Sequence, residues 1–182
     1  RVTSSGVVTT LAGLAGSNGS ADGTGSGARF YYPRGVAVDG RFKTFAAQVA
    51  FDPKQPEAAK IGFTIDLASV SLGAAETETE IAKADWFDTK KFPQATFQST
   101  AVKATGAGRY EVTGTLKIKG ASQNVVVPVA LAQSGAATTA TGTFVIKRLD
   151  FRIGDGEWKD TSMVANDAQV RFKLGLTGVL AL

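Results

Sequence analysis

From Arg41 to Leu176 the chain repeats one pattern, an apolar residue at every second position, run after run. Phe45, Ala47, Val49 and Phe51 alternate with Ala46, Gln48 and Ala50. Ile61, Phe63, Ile65 and Leu67 repeat it, then Tyr110, Val112, Gly114, Leu116 and Ile118. Val125, Val127, Val129 and Leu131 share one side of a further run, and Val170, Phe172, Leu174 and Leu176 one side of the last. A period of two describes strands with one buried face, and Gly-rich turn signals such as 105–108, 119–122, 134–135 and 154–156 separate them. One stretch reads as helix. Thr77-Glu78-Thr79-Glu80 has the form of a capping box, and Ile81, Ala84 and Asp85-Trp86-Phe87 follow, so a short helix is predicted near 76–85. Many strands and one helix predict an all-β antiparallel protein, a sandwich or an up-and-down barrel. A barrel of about eight strands holds either its own side chains or one small ligand, and alternation does not say which.

Two zeros narrow the chemistry. Cysteine and histidine are both absent. That excludes thiolate nucleophiles, disulfides, histidine general bases and His- or Cys-ligated metals. The net charge is +4, but the basic residues stand singly or in pairs, so a solvated surface is favoured over a nucleic-acid stripe. The acidic cluster Asp150, Asp155, Glu157 and Asp160 lacks the spacing of a calcium loop and lies among Lys147, Arg148, Arg152 and Lys159, which neutralise it. No apolar run approaches the ~18 residues of a membrane span. No basic-then-apolar signal segment opens the chain, so the expectation is a cytoplasmic protein or one whose leader is removed.

The first 40 residues differ from the rest. They hold nine of the 21 glycines, and 13–27 reads as a long flexible loop between two strand-like pieces near 6–12 and 28–38. No Gly-Lys-Ser/Thr and no following helix support a phosphate cradle.

Residues about 40–178 resemble the YceI-like family of lipocalin-like, polyisoprenoid-binding proteins. The likeness is carried by Gly40-Arg41-Phe42, Ile65-Asp66-Leu67-Ala68-Ser69-Val70, Ala84-Asp85-Trp86-Phe87-Asp88 and Phe92-Pro93-Gln94-Ala95-Thr96-Phe97. Tyr110-Glu111-Val112-Thr113-Gly114-Thr115-Leu116, Arg148-Leu149-Asp150-Phe151 and Ile153-Gly154 complete it. The resemblance implies an up-and-down barrel enclosing an isoprenoid or similar lipid, without catalysis, metal or resident cofactor, in the periplasm or secreted. On that reading Phe45, Val49, Ile61, Phe63, Ile65, Val112, Leu116, Val127, Phe144, Phe172 and Leu174 point inward and line the lipid tunnel, with Trp86 and Phe87 at its mouth. Residues 1–39 are instead similar to part of an NHL propeller repeat, through Val7-Val8-Thr9-Thr10-Leu11-Ala12-Gly13 and Tyr32-Pro33-Arg34-Gly35-Val36-Ala37-Val38-Asp39. The division predicted is therefore 1–39, a donated strand pair, and 40–182, the barrel: a chimera, natural or engineered. Two other functions follow from it: a folded domain without a ligand, or a protein-interaction module using the N-terminal strands. Strand exchange between chains would give a homo-oligomer.

Overall fold

The computed structural model describes residues 39–180. Among them lie nine strands and one α-helix: β1 (Arg41–Phe42), β2 (Phe45–Ala50), β3 (Lys60–Asp66), β4 (Val70–Ser71), α1 (Ala75–Ile81), β5 (Gln94–Gly106), β6 (Arg109–Ile118), β7 (Ala121–Ser134), β8 (Ala137–Lys147) and β9 (Asp167–Thr177). Seven strands form one antiparallel sheet in the order β2-β3-β5-β6-β7-β8-β9, and β1 pairs separately with β4. The connections are those of a meander, as an up-and-down topology requires.

The sheet curls. Side chains of β3 (Ile65), β5 (Ala95, Phe97), β6 (Leu116, Ile118), β8 (Phe144, Ile146) and β9 (Val170) meet in one apolar cluster, which a flat seven-stranded sheet could not bring together. The chain path agrees. Asp39 reaches Arg171 on β9 at 3.4 Å, and six residues later Phe45 has joined β3 at the other margin. Six residues span at most about 20 Å, so the two margins of the curled sheet approach each other. The fold among the described residues is a half-barrel with one helix.

Local chemistry sets the strand ends. Lys119 and Gly120 both have positive φ, 49° and 77°, and make the two-residue turn between β6 and β7. Such a turn matches the twist of the flanking strands, and glycine adopts it without strain. On leaving β3, Asp66 accepts a hydrogen bond from the Ala68 amide at 2.9 Å and so caps the 3-10 turn that seats Leu67 in the core. The helix differs from its expectation. It begins at Ala75 with Ala74 as N-cap and no side-chain cap, so Thr77 lies inside the first turn. Glu80 pairs with Lys83 and does not close a capping box. The strand pieces predicted near 6–12 and 28–38, and their pairing into the sheet, lie outside the described residues.

Candidate functional site

Opposed residues of an antiparallel ladder share a face, so the register identifies the concave side. Phe45 faces Ile65, Val49 faces Ile61, Phe63 faces Phe97, and Phe97 faces Leu116. Val112 faces Val127, Gly142 faces Phe172, Phe144 faces Val170, and Ala140 faces Leu174. The eleven strand residues of the sequence-based tunnel set therefore occupy one side of one sheet. They differ in burial. Val112, Leu116 and Val127 are buried in the wall, and Ile61, Phe63, Ile65, Phe144, Phe172 and Leu174 are half-buried. Phe45 and Val49, on the β2 margin, are 52% and 38% exposed.

Two clusters divide this face. The first holds Leu67, Ala95, Leu116, Ile118, Ile146, Phe151 and Ile153 and closes one end. The second holds Val102, Tyr110, Val112 and Val127, with Phe51 set edge-on to Tyr110 at 5.0 Å. Phe97, Val125 and Phe144 pack against both. Trp86 and Phe87, expected at a mouth, lie against the first cluster and pack on the closed end. The Trp86 ring sits 5.4 Å from that of Trp158, and Phe87 lies 6.0 Å from Phe42. The buried Nε1 of Trp86 has no hydrogen-bond partner among the described residues.

A buried arginine holds that end together. Arg148 is 4% exposed. Its Nη1 donates to the carbonyls of Ile153 (2.9 Å) and Gly154 (3.2 Å), its Nη2 to Trp158 (2.6 Å) and Val164 (2.7 Å), and its Nε to Ala165 (2.9 Å). A guanidinium has five N–H groups, and five carbonyls receive them. Burial lowers the guanidinium's pKa from its ordinary value. Gly154, at φ 80°, is required here, because a Cβ would stand 2.3 Å from the Arg148 Nη1. The amides of Gly154 and Asp155 both donate to the Asp85 carbonyl at 2.8 Å, which ties the segment before Trp86 to the same loop. Two members of the acidic cluster, Asp155 and Asp160, have structural partners. Asp155 lies 3.7 Å from the buried Lys119 and 3.5 Å from Lys159, and Asp160 accepts from the Ser162 amide at 2.8 Å; hydrogen bonds from the Ser162 hydroxyl and then from this amide lower its pKa.

Sequence reading missed β5 and the core residues it supplies, Ala95, Phe97 and Val102. Bulges at Thr100 and Thr105 break its alternation, so Phe97 and Val102 share the concave face although their spacing is odd. Leu67, read above as the end of a strand run, sits in a 3-10 turn, and Phe151 and Ile153, which a 3-10 turn carries or adjoins and which show no period of two, were missed; together they belong to the floor.

A curled antiparallel sheet with an apolar concave face and one sealed end defines a lipocalin-like class of protein. The sequence profile of the YceI-like domain matches residues 20–176, and the chain belongs to that family. The profile begins inside the segment read above as propeller-like, and the propeller likeness gains no support from these matches. A UPF0312 protein of Ectopseudomonas mendocina (strain ymp) is 36% identical over 120 residues, 63% of each chain. One from Shewanella baltica (strain OS185) is 35% identical over 124 residues, 64% of each. The chain thus spans less than two thirds of the length of these relatives. The crystal structure of Burkholderia cenocepacia BcnA is 48% identical, covers 76% of this chain and 87% of its own, and superposes with a TM-score of 0.74. A polyisoprenoid binding domain from Saccharophagus degradans shares the fold at 17% identity and a TM-score of 0.58, over 75% of this chain and 83% of its own.

Proposed function

We propose that the protein binds a long apolar lipid, of isoprenoid type, along the concave face of the sheet, and that it does so without catalysis. The observation that carries this reading is the continuity of that face. Apolar side chains run from Phe45 on β2 to Leu174 on β9, and the β2 margin stands open with Phe45 half exposed. Each buried CH₂ of a bound chain contributes about 0.8 kcal/mol, so a long tail needs few polar contacts. The ordering of a flexible ligand opposes it. The likeness to the polyisoprenoid binding domain supports the same ligand class. On this reading the protein is a carrier or store of lipid, in the periplasm in keeping with its family. No helix among the described residues is long and apolar enough to cross a membrane.

Native mass spectrometry of the purified chain, followed by titration with a fluorescent prenyl probe, tests it. A retained apolar adduct and saturable uptake are expected. Val112→Trp places a large ring in the middle of the face and should abolish uptake, at a stability cost of roughly 1–3 kcal/mol from overpacking. A wild-type chain that melts cooperatively and never takes up the probe would mean that the face is a packed core, the ligand-free reading.

A further inference from the structure

The wall of the sheet is not zipped throughout. The β6–β7 ladder runs from Arg109↔Ala130 to Ile118↔Ala121, and the β8–β9 ladder from Ala137↔Thr177 to Lys147↔Asp167. Between them the β7–β8 ladder starts at Ser134↔Ala137 and stops at Val129↔Gly142. Beyond that point β7 and β8 continue as strands, each paired among the described residues only with its outer neighbour, and a fork opens in the sheet. Pro128 stands at the apex and has no N–H to carry the ladder on. Extending the register puts Val126 opposite Val145 across the fork, and both are exposed, at 54% and 53%.

A depression of about 580 Å³ lies at this apex. Pro128 and Thr143 line it, and so do Tyr110, Val129 and Phe172, which also belong to or pack on the second inner cluster. Residues of the outer face and residues of the inner cluster therefore both border the depression, and the wall between them is one strand thick. The closing element is an aromatic ring. A Cβ on Gly142 would lie 2.4 Å from the Phe172 ring and 2.6 Å from the Pro128 carbonyl, so the ring rests on bare backbone where the strands part. The polar lining is Arg109, Arg171 and Glu111 with threonine hydroxyls, an excess of positive charge. The Asp39 partner of Arg171 is highly exposed, and such a pair is weak enough for an incoming anion to displace.

We propose that the β7–β8 fork is a side port in the sheet wall: a lipid tail passes it to the concave face while an anionic head group stays outside on Arg109 and Arg171. Phe172 is the gate. The proposal rests on the lipid-binding reading and adds the route and the charge of the head group.

The chain has no cysteine, so a Val126→Cys/Val145→Cys variant carries the only two thiols. They are joined after folding by a cleavable bis-maleimide, and a cooperative melt checks that the fold is kept. Uptake of a fluorescent prenyl phosphate is then followed by stopped flow. Locking the fork should slow uptake about tenfold or more, with recovery on cleavage, as for a gated step. Equal rates in locked and cleaved protein overturn the port, whereas a wild type that takes up no probe overturns the lipid-binding reading beneath it. In the unlinked chain, Arg109→Gln/Arg171→Gln should bind the prenyl phosphate and the matching uncharged prenol equally, where the wild type prefers the phosphate. A preference that survives the double substitution removes the head-group assignment.

Discussion

At Arg148 five donors meet five backbone carbonyls, and among the described residues no carboxylate takes part. The residue therefore acts as a template for the 153–165 loop and not as half of an ion pair. Arg148→Met leaves those carbonyls without donors, and a loss of about 3 kcal/mol or more is expected in denaturant melts. Arg148→Lys should restore little of it, because an ammonium has three donors and no planar fork. Glu78 supplies a pH-dependent term. Its carboxylate accepts from the Leu72 amide at 2.9 Å, and that bond is the largest cause holding its pKa below the ordinary 4.5. A folded-state pKa below the unfolded one means stability that is present above about pH 4.5 and lost as pH falls through the folded value. Glu78→Gln should lower the melting temperature at neutral pH, with the gap to wild type closing in acid. A gap that persists below the folded pKa would count against this account.

Among the elements, α1 lacks a side-chain cap at its N-terminus. Its N-cap, Ala74, has extended dihedrals and no side chain able to bond the first amides, although Glu76 and Glu78 complement the helix dipole. Ala74→Ser should add about 1 kcal/mol, raising the melting temperature by roughly 2–4 °C in calorimetry. Strand β5 shows how an element escapes sequence reading. Two extra residues, Thr100 and Thr105, each shift the pleat, so no single alternation spans Gln94–Gly106. The same bulges increase twist and help the sheet curl. Gly114 has a comparable role on the next strand: a Cβ there would stand 2.4 Å from the Phe97 ring, so the missing side chain lets that ring lie on the wall.

For the whole molecule, the β2 margin governs behaviour in solution. All six residues of β2 are exposed, none is charged, and among the described residues it pairs with β3 alone. The opposite margin differs, since β9 carries Arg171 and Lys173 on its outer side. Natural edges are usually protected by charge, proline or a bulge, and β2 has none of these. Concentration-dependent association through β2 is therefore expected in light scattering. Gln48→Lys, on the outer side, should suppress it without lowering the melting temperature. Association unchanged by that substitution would assign it to another surface.

The amino-acid sequence determined the all-β class and the shared face of the regularly alternating strands. A period of two is a local property of the pleat, so Phe45, Ile61, Val112, Val127, Phe172 and their companions could be assigned to one side without coordinates. Their degree of cover was not local. Phe45 stands open while Val112 is sealed, because burial depends on which strand lies at a margin and how far the sheet curls. Trp86 and Phe87 adjoin the helix in sequence, which suggested a mouth. Their position on the closed end follows from Asp85 bonding the Gly154 and Asp155 amides, a contact across some 70 residues that no spacing rule predicts. The fork was only partly legible. Pro128 marks a place where a ladder can end, but the runs Val126-Val127 and Thr143-Phe144-Val145 read as ordinary strand. Their separation is decided where the β7–β8 ladder stops, at Val129↔Gly142, although the hairpin that begins it is local.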